Sequence, residues 1–209
     1  MKTPIRCSAL ALTLAAVASA QTGQTPPSSI PVHDLSVRSD VFDALHTLAE
    51  KYHVVIGVYG IHTMPEACWA EISLKDGTLG EVFNAIVARY PLLEWKETAS
   101  GAVHFTFRGS PLSLLDVPIR SFDAENPRRM ETSGRVIQAP EVAKWLQDHK
   151  CTAGELFVGY RPDEWTSFAV HAKNVPFSAV LDEIAAKSGT YVWSAIQWRE
   201  DPCAINIQP

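Results

Sequence analysis

Short catalytic motifs are missing from this sequence. No Gly-x-Ser-x-Gly, His-Glu-x-x-His or phosphate-cradling glycine-rich loop occurs in it, so the commonest hydrolytic and nucleotide-handling chemistries have no motif behind them. Cys-x-x-Cys is missing too, which removes the usual signature of a thioredoxin-like redox site. Positive charge is scarce: 18 Lys and Arg face 23 Asp and Glu, and no stretch gathers the basic residues into a stripe. An acidic chain of that kind is poorly suited to nucleic acid or anionic membrane surfaces. Beyond the N-terminus no apolar run is long enough to span a bilayer.

What is present begins with an export signal. Met1–Arg6 is a short basic start, Cys7–Ala18 is small and apolar, and Ala18-Ser19-Ala20 has the small-x-small form that a signal peptidase accepts. Residues 1–20 are expected to be removed and the product to be periplasmic or secreted. Losing Lys2 and Arg6 leaves 16 basic against 23 acidic residues, a net charge of −7. Residues 21–32, rich in Gln, Thr, Ser and Pro through Pro31, are expected to form a flexible lead-in.

The strongest signal is an internal repeat. Shifted by 98 positions, Lys75–Trp95 falls on Lys173–Trp193 with Lys75/Lys173, Val82/Val180, Ile86/Ile184, Ala88/Ala186 and Trp95/Trp193 identical. Ile72 and Leu74 fall on Val170 and Ala172. After a two-residue adjustment Val103, Phe105 and Phe107 fall on Cys203, Ile205 and Ile207. Such self-similarity predicts a duplicated module.

Each copy predicts β-α-β-β-α-β-β, hence an α+β fold of two tandem modules, at 33–110 and 111–209. In the first, an extended His33–Arg38 precedes a helix that Ser39 or Asp40 caps and that runs to Tyr52. Val54–Tyr59 and Ala70–Lys75 read as strands. Thr78-Leu79-Gly80-Glu81 is a capping box opening a helix that Pro91 stops, and Leu92–Glu97 with Ala102–Arg108 makes a closing hairpin. In the second, Leu115–Phe122 is a strand, Asp123–Gln138 is an irregular intervening stretch, and Pro140–Lys150 is a helix. Glu155–Tyr160 and Ser167–Lys173 follow as strands, Pro176–Lys187 as a helix stopped by Gly189, then Tyr191–Arg199 and Cys203–Gln208.

His33–Arg108, with Val41–Ala49 as its "ALxxLA"-like helix, Val54–Tyr59, and Ile72–Leu79 as strand, turn and capped helix, resembles the secretin and TonB short N-terminal domain. Asn174–Ile207 looks like the same element and is similar also to the C-terminal domain of periplasmic anti-sigma regulators. The resemblance implies docking to another envelope protein such as a secretin, a TonB-dependent receptor or a regulator, without a cofactor.

Residues with chemical potential are dispersed. Asp43, His46, Glu50 and His53 could present metal ligands along one helix, yet a polar face opposite an apolar stripe is what any surface helix shows; neither a metal nor a catalytic set is expected. His62, His104, His149 and His171 have no mutual spacing that resembles a site, and the pairs Asp163-Glu164 and Asp182-Glu183 read as solvated. Trp95 and Trp193 read as packing residues and Trp145 as helix core. Trp69, Trp165 and Trp198, at strand ends or loops, are the interface candidates. Three cysteines survive export, permitting one bridge and one free thiol; Cys151–Cys203 is preferred over pairings with Cys68 and over three reduced thiols. The function expected is a non-catalytic interaction module of the cell envelope; the alternative is a small-ligand sensor or carrier binding between the modules.

Overall fold

The computed structural model describes residues 25–61, 69–109, 112–125, 129–154, 168–200 and 203–208. Residues 1–20 and the expected strand Glu155–Tyr160 therefore lie outside the described residues. The fold is mixed α and β. In the N-terminal half a 3-10 turn (Pro27–Ser29) leads into β1 (Pro31–Asp40), α1 (Val41–Tyr52), β2 (Ile56–Ile61), β3 (Trp69–Thr78), α2 (Leu79–Arg89), β4 (Leu93–Glu97) and β5 (Val103–Phe107). The C-terminal half holds a 3-10 turn (Ser113–Asp116), β6 (Pro118–Glu125), α3 (Arg129–Gln138), α4 (Pro140–Asp148) and β7 (Cys151–Gly154). It ends with β8 (Ala169–Pro176), α5 (Phe177–Ser188), β9 (Val192–Glu200) and β10 (Cys203–Gln208).

Local chemistry explains most boundaries. Asp40 accepts hydrogen bonds from the amides of Phe42 and Asp43 and caps α1. Thr78 and Glu81 form the reciprocal capping box of α2, and Gly189 closes α5 in the left-handed conformation. The lead-in ends sooner than its composition predicts. Pro27 and Val32 are buried, the Ser28 amide donates to Glu97 Oε1 at 2.6 Å, and Pro31 already pairs with Thr78. Proline fits there because it sits at the first residue of a strand. The stretch expected to be irregular, Asp123–Gln138, holds the end of β6 and the helix α3 instead.

Strands β1 and β3 pair antiparallel, as do β6 and β8, each as a separate two-stranded sheet. The remaining six form one sheet in the order β4-β5-β2-β9-β10-β7. Within each half of that sheet an antiparallel hairpin is followed by a parallel strand: β4-β5 then β2, and β9-β10 then β7. The halves join where β9 runs parallel to β2, with Gly57 opposite Trp193 and Tyr59 opposite Ala195.

Burial shows that the join also turns the sheet over. Ile56, Val58, Val103 and Phe105 belong to the core beneath α1 and α2. Trp193, Ala195, Ile205 and Ile207 belong to the core beneath α4 and α5. Because side chains alternate along a strand, and Trp193 stands beside Gly57 rather than beside Ile56 or Val58, these cores occupy opposite faces of one sheet. The N-terminal face opposite its own core is left to Tyr59, His104, Thr106, Glu94 and Lys96. Residues of α5 cover part of that face, and the remainder is a cleft.

Cys151 and Cys203 are bridged, with Cα atoms 4.4 Å apart. The bond links paired positions of neighbouring strands β7 and β10. A tie from helix to strand was expected; Cys151 instead opens a strand directly after α4.

Candidate functional site

Between the halves lies a cleft of about 770 Å³. Its floor is the exposed face of β2, β5 and β4, and its far wall is the start of α5 together with the 112–116 connection. Register fixes two rows across the floor. Tyr59, Thr106 and Glu94 stand side by side, and one step along, Gly57, His104 and Lys96 continue the row that Trp193 begins.

The second row leads into a buried polar knot. Asp182 of α5 accepts from Trp193 Nε1 at 2.7 Å, and His104 Nε2 lies 2.9 Å from the same carboxylate oxygen. Ser100 Oγ reaches the other oxygen at 3.4 Å. His104 and Asp182 are 4% and 6% exposed, so this hydrogen-bonded pair joins a strand of one half to a helix of the other away from water. A carboxylate only accepts, which places the His104 proton on Nε2. Tyr59 completes the knot, stacked on Trp193 with ring centroids 5.9 Å apart and edge-on to His104 at 5.6 Å. Gly57 is required here: a Cβ on it would overlap Trp193 Cζ2 and Cε2 and stand 2.8 Å from Cη2.

Ser100, His104 and Asp182 bring together the three residue types of a hydrolytic triad, but their order is wrong for one. The serine hydroxyl bonds to the carboxylate rather than to the imidazole, so it is not held by the nitrogen left over once His104 Nε2 is bound to Asp182, as a nucleophile would be. The knot is built as a clamp. At the cleft's first row, burial, followed by the charges of Asp116, Asp182 and Glu94, raises the Tyr59 phenol above its ordinary pKa. Among the described residues neither Glu94 nor Asp116 has an ion-pair partner.

The sequence-predicted residues lie elsewhere. Backbone positions put Trp69 at the start of β3, opposite Asp40, and Trp198 near the end of β9, in different sheets; Trp165 and Cys68 lie outside the described residues. Trp193 is fully buried, whereas Trp95 is half-buried on Phe83 with Nε1 donating to Asn84 Oδ1 at 3.0 Å. Trp145 is half-buried and stacks on His149 at 3.9 Å. On α1, His46 approaches Glu50 at 3.6 Å and His53 ends the helix; among the described residues no group of three or more His, Cys, Asp or Glu could hold a metal.

Asp182 corrects its expectation: it was read as solvated and is buried. One signal could have found it. Counting 98 back from Asp182 gives Asn84, and both residues lie eleven positions before a tryptophan whose indole they bind. Among the described residues no helix is long and apolar enough to cross a membrane. No protein-family model matches this chain, and no curated protein matches it.

Proposed function

We propose that the chain is an exported interaction protein of the cell envelope, built of two tandem copies (33–110 and 111–209) of a domain like the secretin and TonB short N-terminal domain. It docks another envelope protein through the outer edge of β4. The observation that carries this reading is the contrast between β4 and β9. Both hold a tryptophan bound to an Asx side chain of the preceding helix, 98 residues apart. Strand β9 is docked along β2, while β4 pairs only with β5 among the described residues. In the β4-β5 ladder Thr98 N donates to Ala102 and Arg108 N to Leu92. By antiparallel alternation the backbone groups of Trp95 and Glu97 then point outward, where an added strand would pair. Glu94 and Lys96 guard that edge against indiscriminate pairing.

The test is capture of a partner on the immobilised mature chain, followed by amide hydrogen exchange of the purified complex. Slowed exchange at Trp95 and Glu97 is expected. A partner that leaves β4 unprotected, or no retained protein at all, sinks the reading. A second reading, a small-ligand sensor or carrier, is favoured by the cleft itself, since clefts of this size between structural units commonly take ligands. A large thermal shift with a metabolite, and no retained protein, would select it.

A further inference from the structure

We propose that the partner segment docking along β4 carries an arginine or lysine whose cationic end enters the cleft above Thr106, between Tyr59, Glu94 and Asp116. This rests on the docking reading above and adds the chemistry of the occupant.

A strand added outside β4 would extend the floor's first row, so its side chain in that row stands next to Glu94 and faces the cleft. Two carboxylates line the cleft within electrostatic reach of Tyr59, Glu94 from β4 and Asp116 from the 113–116 turn, and neither has an ion-pair partner among the described residues. The third acid of the cleft, Asp182, is already held by Trp193, His104 and Ser100. Lys96 belongs to the next row, beside His104. Glu94 and Asp116 also lie close enough to Tyr59 to add to burial in raising its phenol above the ordinary pKa. Shape agrees with charge: Leu112 and Leu115 line the far wall of the cleft, an apolar boundary for the methylene stem of a long basic side chain. The Tyr59 ring adds a cation–π face. An acidic mature chain would also steer a basic segment toward it.

The experiment uses the full mature chain and three probes: a capped strand-forming hexapeptide with a central arginine, the same peptide with citrulline, and free arginine amide. Affinities are measured by calorimetry on the wild type and on the Glu94→Gln/Asp116→Asn double variant. Both substituted side chains are exposed, so the variant should fold, which a thermal melt checks. The arginine peptide is expected to bind about tenfold tighter than the citrulline peptide, and the double variant should erase that difference. Equal binding of the two peptides overturns the cation and leaves the docking reading standing. Free arginine amide binding as tightly as the peptide overturns the strand. Neither peptide binding, while a captured partner still protects Trp95, overturns this inference alone; neither binding and no captured partner overturns both readings.

Discussion

Substituting Gly57 with alanine should be destabilising, against the ordinary trend. A glycine within a strand is normally a weak point, and alanine there gains about 0.5–1 kcal/mol. Here the new methyl has nowhere to go, because it would overlap Trp193 Cζ2 and Cε2. The indole cannot yield cheaply: Trp193 is fully buried, its Nε1 is fixed on Asp182 at 2.7 Å, and Tyr59 stacks on its face. Forced repacking costs about 1–3 kcal/mol, and pulling the indole from Asp182 adds about 1–3 kcal/mol for a broken buried hydrogen bond. A total of about 2–6 kcal/mol is a large share of the ~5–15 kcal/mol that holds a typical domain. For a chain of this length it should lower Tm by about 4–24 °C. Thermal melts and urea titrations measure the effect, and a double-mutant cycle assigns it. In a Trp193→Leu background the same Gly57→Ala change should cost less than about 1 kcal/mol, because the clashing ring is gone. An unchanged Tm for Gly57→Ala, or the same loss in both backgrounds, would refute the argument that β2 carries glycine to admit Trp193.

Asp182→Ala strands two buried donors and should cost about 3–5 kcal/mol in urea unfolding, whereas Asp182→Asn keeps an acceptor for Trp193, as Asn84 does for Trp95, and should recover about 1–2 kcal/mol of that; equal losses would show that the indole bond contributes nothing. The Cys151–Cys203 bridge closes a loop of 52 residues and should contribute about 4 kcal/mol through the unfolded chain, so a urea midpoint unmoved by reductant would contradict it. The hydrogen bonds from His171 and Ser121 hold the Asp123 carboxyl below its ordinary pKa. Its contribution is therefore present above the ordinary carboxylate range and fades as pH falls through the lowered value. A carbon-detected NMR titration should find that His171→Gln moves Asp123 upward, and no movement would assign the shift elsewhere.

Much of the local structure was legible because local rules governed it. The Asp40 cap, the Thr78–Glu81 box, the stop at Gly189 and the alternation through Ile72 and Val103–Phe107 are each decided within a few residues, and each element lies within two or three positions of its reading. The errors arose where distant segments decide. Val32 follows prolines and precedes the polar His33 and Asp34, yet β3 supplies it with a partner. Helix α3 has a weakly apolar face, and only its docking on the C-terminal core buries Val136. The site was the least legible part. Asp182 carries a pattern typical of a solvated helix face, and nothing near it in sequence announces that Trp193, His104 and Ser100 converge on it. Charge patterns report exposure only when the partner lies on the same element, and His104 is 78 residues away.

If β4 docks a strand as proposed, the junction also bears on why that strand would come from another protein rather than from another copy of this chain. On the proposed duplication, Val103 corresponds to Cys203, and pairing within each half then sets Ile56 against Cys151, because Ile56 faces Val103 and Cys151 faces Cys203. Gly57 therefore corresponds to Thr152, Tyr59 to Gly154 and His104 to Ala204. Strand β2 can receive β9 because it offers a glycine notch and a tyrosine to stack on the incoming indole, while its neighbour β5 offers a histidine for the carboxylate partner. Strand β7 offers a Cβ in place of the notch and no ring in place of Tyr59, and its neighbour β10 offers the methyl of Ala204 in place of the imidazole. A next copy bringing β4 and Trp95 to that edge would meet Thr152 where Trp193 meets Gly57, without either compensating contact. Among the described residues, the half-turn join that could in principle repeat without limit is thus furnished with these contacts at the β2–β9 seam. The outer edge of β4 keeps its tryptophan, its Asn84 and two outward backbone positions, and among the described residues β7 and β10 do not supply a matching receptor. What fits there must bring its own small residue opposite Trp95 and its own answer to Glu94 and Asp116.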